Sequence, residues 1–342
     1  MNQRPTIAEI AAEAGVSVPT VSKVLNQRTD VAEVTRQRVE AVIQKRGYVR
    51  NRAARALGGG QNGLVDLVIP WSLDSEYYQE ILYGIEDVLS QAGKDMVLFT
   101  MYHEPQRQEE LLARVSDRST DGAIFLFPNS QAHIKELQRR HLPCVVIGES
   151  LSMLSHVPTV RNTSWIGDVM ATEYLMSLGH RRIATMLCGP ADHLITRARL
   201  AGYRAALEGA GLPIDPSLIR EADFLPESGY AQTHALLALP DPPTAIFASC
   251  DSQAAGIYRA LYEQEKRIPR DISVIGFDDI PSSAWTSPPL TTVRQQLKEM
   301  GRLGATMLVR LMAGETLDTA CVELAPSLVI RDSCAPPPMH DR

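Results

Sequence analysis

The 342-residue chain has no apolar run near the ~18 residues that a membrane-crossing helix needs, so no part of it is expected to span a bilayer. Its opening, MNQRPTIAEI, lacks the apolar core of a secretory signal. Its five cysteines (Cys144, Cys188, Cys250, Cys321, Cys334) fall at none of the spacings that hold a metal. A reduced, cytoplasmic setting is the expectation. Also missing are a nucleophile elbow, a phosphate-cradling loop and zinc-ligand spacing. His103, His133, His141, His180, His193 and His234 are scattered, and His180 follows a helix end, where a histidine commonly satisfies carbonyls. No catalytic centre, cofactor or metal is expected.

Charge is present but unevenly spread. The whole chain carries −6, yet residues 1–57 hold ten basic and five acidic side chains, a net +5, which leaves −11 on the remainder. A small basic head on a larger acidic body points to a nucleic-acid partner for the head alone.

In TIAEIAAEAGVSVPTVSKVLN, Thr6 and Glu9 stand at capping-box spacing, and Ile7, Ile10, Ala11 and Ala14 share a helical face. This predicts a first helix from about Ile7 to Ala14. Gly15 suits a tight turn, and Ser17 can cap a second helix with Val21, Val24 and Leu25 turned inward. A third helix, about Ala32 to Arg46, has Val34, Val39, Val42 and Ile43 on its apolar side and stops at Gly47. Two short helices joined by a glycine turn make a helix-turn-helix, whose second helix enters the DNA major groove N-terminal end first. The expected DNA contacts are therefore Ser17, Val18, Pro19, Thr20, Ser22 and Lys23, with Asn26 just beyond. Val18 and Pro19 offer no side-chain hydrogen bond and are expected to make apolar contact, such as with thymine methyls.

These residues, with VTRQRVEAVIQKRGYVRNRAARAL and the later PPLTTVRQ, resemble the lactose-repressor (LacI/GalR) family of bacterial transcription regulators over nearly the whole chain. The resemblance accounts for RNRAARAL followed by GGGQNG. It implies a hinge, 51–60, that turns helical on operator DNA and pairs with its copy in the minor groove. Leu57 would wedge between central base pairs, Ala54 pack in the groove, and Asn51, Arg52 and Arg55 approach backbone or base edges. Unstacking the step costs a few kcal/mol, which the bend offsets by added contacts.

From GLVDLVIP onward, β-rich runs alternate with amphipathic helices: DMVLFTMY, DGAIFLFP, LPCVVIGE, RRIATMLCG, PTAIFASC and DISVIGFDD. With a break near Val160 to Thr163, this predicts two doubly wound parallel-sheet lobes. The resemblance implies a periplasmic-binding-protein-like body at 61–332 joined by three crossovers, lobe 1 being about 61–161 plus 291–322 and lobe 2 about 162–290 plus 323–332, with a tail at 333–342. Ligands of open α/β sheets sit beyond the strand carboxyl ends, so a small molecule belongs in the cleft.

By family carry-over, Arg197 and Asp278 are the leading effector ligands, with Asp279 beside the latter. An ion pair within one lobe, or a surface arginine, is the competing reading. Phe224 matches a position where the family often has an aromatic that can stack on a sugar ring. Trp71, Tyr77 and Tyr78 follow the first body strand, Glu149 ends another, and Cys250 stands where the family often has asparagine. The implied function is a homodimeric repressor on pseudo-palindromic double-stranded operator DNA, released by a small sugar or sugar derivative. A corepressor-dependent repressor, an activator, and a freestanding cytoplasmic sugar-binding protein remain alternatives. RDSCAPPPMHDR has three consecutive prolines and no heptads, so no tetramerising coiled coil is expected there.

Overall fold

The structure is a computed structural model that describes residues 5–25, 28–48, 62–69, 75–100, 120–128, 132–148, 157–189 and 194–338. Its contacts divide the chain between Asn62 and Gly63 into two units.

In the first unit, α1 (Ile7–Glu13) starts at a complete capping box. The Thr6 hydroxyl accepts the Glu9 N–H at 3.3 Å, and the Glu9 carboxylate accepts the Thr6 N–H at 2.7 Å. Gly15, at φ +63°, turns the chain into α2 (Val18–Leu25), and α3 (Glu33–Arg46) ends at the left-handed Gly47. Ile10, Ala11, Ala14, Val21, Val24 and Val39 fill the core, flanked by Ile7, Leu25, Val42 and Ile43. Val34 was expected on that face but is 78 % exposed. Five residues from Val39, it stands roughly 140° around the helix from the inward stripe.

The second unit carries β1 (Leu64–Ile69), α4 (Glu76–Gln91), β2 (Asp95–Thr100), β3 (Gly122–Leu126), α5 (Ala132–Arg139), β4 (Cys144–Ile147) and β5 (Thr159–Asn162). Next come α6 (Ser164–Ser177), β6 (Ile183–Met186), α7 (Leu194–Gly209), β7 (Ile219–Arg220), α8 (Pro226–Leu237), β8 (Ala245–Ala248), α9 (Asp251–Glu263) and β9 (Ser273–Asp278). The chain returns through β10 (Thr291–Arg294), α10 (Leu297–Met312), β11 (Cys321–Leu324) and β12 (Ser327–Val329). Two six-stranded sheets result, β11-β5-β4-β3-β1-β2 and β12-β10-β9-β8-β6-β7. The paired strands run parallel except β12, which lies antiparallel on β10. In each sheet the strand order reverses once, between β1 and β3 and between β6 and β8, which puts a crevice at the carboxyl ends there.

Nearly continuous apolar strands such as LVDLVI and AIFA are what sheets covered on both faces require, and Leu67, Ile69, Ile124 and Ile147 are fully buried in lobe 1. Burying each such side chain contributes about 1.5–3 kcal/mol. In the same lobe α10 packs backbone to backbone on α4. A Cβ on Gly84 would lie 2.0 Å from the Lys298 carbonyl oxygen, and one on Gly301 would lie 2.1 Å from that of Ile81.

Three boundaries differ from the sequence expectation. The stretch near Val160 to Thr163, read as a break, falls mostly in β5 (Thr159–Asn162), which is hydrogen-bonded to β4 and β11, and the chain crosses only after it, at Thr163. Thr291–Arg294, assigned to lobe 1, is β10 of the second sheet, pairing Val293 with Phe277 of β9, so that crossover falls at Gln295 and Gln296. β11 stays in lobe 1 through Leu324. Residues 333–338, expected as a tail, begin with a strap on lobe 2. The buried Ser333 hydroxyl donates to the Val274 carbonyl and accepts the Thr291 N–H at 2.8 Å, while His180 Nε2 lies 2.9 Å from the Ala335 carbonyl.

Candidate functional site

In the first unit, helical periodicity turns Val21 and Val24 into the core and leaves Val18, Pro19 and Lys23 exposed. Ser17 and Thr20 cap α2. Their hydroxyls are 2.9 Å apart, and the Thr20 N–H donates to Ser17 Oγ at 3.3 Å. Ser22 is half-buried. Lys23 Nζ makes an ion pair with Asp30 at 2.8 Å. Asn26, Asn51, Arg52, Ala54, Arg55 and Leu57 lie outside the described residues.

In the second unit, Cys188, Ser249, Cys250 and Asp278 stand at or just past the carboxyl ends of β6, β8 and β9, the crevice side of lobe 2. The arginine facing them is Arg199, not Arg197. Thr196, Arg199, Tyr203 and Leu207 form the buried stripe of α7, whereas Arg197 is exposed. Two residues turn a helix by roughly 200°, so the packing of Tyr203 and Leu207 determines which arginine points inward.

Arg199 is 6 % exposed, lies with Cζ 3.9 Å over the Phe277 ring centroid, and donates from Nη1 to the Ser249 carbonyl. Its Nε has no hydrogen-bond partner among the described residues. Cys188, Asp168, Asp278 and Tyr77 lie within electrostatic reach. A buried donor without a partner costs free energy that a ligand acceptor would recover.

Asp278 is buried with φ +121°, and its Oδ1 accepts from Gln295 Nε2 at 2.5 Å. Burial pushes its carboxyl above the usual carboxylate range, while the Arg199 charge and the Gln295 bond pull it back. Burial also raises Asp251, and the charge of Asp278 adds to the shift. The Thr292 hydroxyl at 2.6 Å and the Ile280 N–H at 3.0 Å oppose it. Asp279 turns away into ion pairs with Arg294 and Arg331, each at 2.6 Å.

Cys250 is buried at the N-cap of α9, its thiol pushed up by burial and pointed at the Phe224 carbonyl at 3.7 Å. Phe224 is 38 % exposed and therefore not a core residue. From lobe 1, Tyr77 and Tyr78 at the start of α4 pack edge to face, with ring centroids 5.4 Å apart, and Tyr78 is near enough to Asp278 to feel its charge. The structure thus brings together Arg199, Asp278, Cys250 and the two tyrosines. Trp71 and Glu149 lie outside the described residues.

Sequence reasoning missed the polar chain behind this site. Gln295 Oε1 accepts from Asn162 Nδ2 at 2.5 Å, so the amide donating to Asp278 also joins two interlobe crossovers. The Thr163 N–H donates to the Leu324 carbonyl at 3.4 Å, and Gln296 Nε2 donates to the Ala325 carbonyl at 3.1 Å, which brings in the third. Ile280, two residues after Asp278, is buried in the lobe 1 core.

Residues 6–51 match the model of bacterial regulatory proteins of the lacI family, and residues 172–334 match the periplasmic binding protein-like domain. The ribose operon repressor of Escherichia coli (strain K12) is 33 % identical over 330 residues, covering 96 % of this chain and 99 % of its own. The chain belongs to the LacI family. Among solved structures, the Lac repressor dimer bound to operator and the anti-inducer ONPF has a TM-score of 0.85 at 29 % identity, covering 97 % of this chain and 100 % of that one. The transcriptional regulator CelR in complex with cellobiose has a TM-score of 0.73 at 33 % identity, covering 96 % and 100 %. As a LacI-family member the chain is a DNA-binding transcriptional regulator. Its relatives are regulators rather than enzymes, and among the described residues no helix is long and apolar enough to cross a membrane.

Proposed function

We propose that this LacI-family member is a cytoplasmic homodimeric repressor that a small sugar or sugar derivative releases from a pseudo-palindromic operator. Ser17, Val18, Pro19, Thr20, Ser22, Lys23 and Asn26 serve the major groove in this reading. Asn51, Arg52, Ala54, Arg55 and Leu57 serve the hinge. The effector lies between the lobes on Arg199 and Asp278, with Cys250 and Phe224 beside them in lobe 2 and Trp71, Tyr77 and Glu149 on the lobe 1 side.

The observation that carries the reading is the buried guanidinium of Arg199, its Nε without a hydrogen-bond partner among the described residues, facing the Asp278 carboxylate at the strand ends. Fixed donors beside a fixed acceptor match the hydroxyls of a neutral sugar, each of which both donates and accepts. Asp278 is bonded through Gln295 to the crossovers, so a ligand with unequal affinity for two lobe arrangements shifts their balance.

A thermal-shift screen of sugars and sugar phosphates, followed by operator titration with each hit, tests this. A sugar that raises the melting temperature and weakens operator binding supports it. One that tightens operator binding makes the protein corepressor-dependent, and a screen in which no sugar shifts the melting temperature overturns the sugar assignment.

A further inference from the structure

Lys23 leaves the last turn of α2 one helical turn beyond Pro19, on the face that exposes that residue, while the exposed Val18 stands at the start of the same helix. Its ammonium does not stand free. Nζ is 2.8 Å from Asp30 Oδ2, and the other carboxylate oxygen of Asp30 is 3.6 Å from Arg28 Nε. Asp30 sits in the turn before α3, and the Lys23 and Asp30 side chains are 49 % and 46 % exposed. The hydrogen bond from Lys23 holds the Asp30 carboxyl below its usual range.

Pairs this exposed add little to stability. What this one does is set the alternative that a DNA phosphate must beat. A free lysine gains Coulomb energy and releases a counterion at any phosphate, whatever the base sequence. A lysine already held by a carboxylate exchanges one anion for another and gains little from random DNA. Only a duplex that docks Val18 and Pro19 correctly supplies the additional contacts that draw it away.

We propose that Asp30 is a specificity-determining residue of this regulator, holding Lys23 on the protein so that non-specific DNA does not engage it. The proposal rests on the reading of Lys23 as a DNA contact. The Asp30 side chain is 46 % exposed, so its replacement by the equally sized asparagine is expected to leave the head folded.

The test uses full-length protein and two duplexes, one of random sequence and one selected from a randomised pool by the wild type. Affinities are measured across a salt series for wild type, Asp30→Asn, Lys23→Ala and the double variant. Asp30→Asn is expected to tighten random-duplex binding about two- to fivefold and steepen its log–log salt slope by about 0.9, the value for one added phosphate contact. The selected duplex should gain less, so the specificity ratio falls. The double variant should match Lys23→Ala alone. An unchanged slope in Asp30→Asn overturns the proposal, as does a gain that persists without Lys23, since that is plain repulsion between Asp30 and DNA. If Lys23→Ala leaves affinity and slope unchanged on both duplexes, the contact reading fails first and the proposal with it.

Discussion

Arg197 and Arg199, two residues apart, show how finely helix periodicity divides an exposed side chain from a buried one. Arg199→Ala should weaken effector binding about ten- to a hundredfold, the loss of a charge-assisted hydrogen bond worth about 1.5–3 kcal/mol. Arg197→Ala should leave it at the wild-type value. Calorimetric titration of both variants with a sugar from the thermal-shift screen checks this, and equal losses would return Arg197 to the site. The sequence TRARLAGYRAAL contains both arginines, and the sequence reading named Arg197 alone. The spacing of Arg199, Tyr203 and Leu207 held the answer, but only once Tyr203 was known to be buried. The place of Asp278 was legible because it closes an apolar strand, whereas that of Gln295 was not, because it depends on two crossovers meeting. Asp278 and Asp251 also carry a pH signature. Burial raises both above an ordinary carboxylate's ~3.9, so between the two values the folded state binds more protons than the unfolded chain. Stability of the ligand-free protein should therefore fall as pH rises from about 4 toward neutrality through these groups. In Asp278→Asn, melting temperatures across that range should fall less than in wild type; an identical slope would mean that Asp278 ionises normally.

At the scale of elements, capped helices and apolar strands of only four residues were readable, whereas the boundaries between the lobes were not. The capping box at Thr6 and Glu9, the turn at Gly15 and the left-handed stop at Gly47 follow directly from residue type. β5 (TVRN) mixes polar with apolar residues and lacks the apolar run that marks the equally short β4, β6 and β8, so its pairing with β4 and β11 makes it a strand. That is why the interlobe boundaries shifted. The crossover chain Asn162–Gln295–Asp278 gives a prediction at this level. Gln295→Leu removes both of its hydrogen bonds, so effector affinity should change less than the ability of the effector to weaken operator binding. The ratio of operator affinities with and without sugar is the measurement. A wild-type ratio would show that the lobes communicate by another route. In the hinge, Leu57→Ala should weaken operator binding and reduce DNA bending while sedimentation still shows a dimer. Unchanged affinity and bending in circular-permutation gel shifts would remove the wedge.

For the whole molecule, the separation of charge is the organising fact: a head of +5 for an anionic partner and a body of −11. On the proposed reading the acidic body leaves DNA binding to the head, and the effector acts on transcription through the segment between the two units. Allosteric coupling of this kind typically amounts to about 5- to 150-fold in affinity. Operator affinity measured with and without saturating sugar, in wild type and in Arg199→Ala, tests the central claim most directly. The account predicts that sugar weakens wild-type operator binding within that range and leaves the variant, at the same sugar concentration, close to its sugar-free affinity. Wild-type operator affinity unmoved by a sugar that demonstrably binds, or a variant that responds as the wild type does, would contradict it.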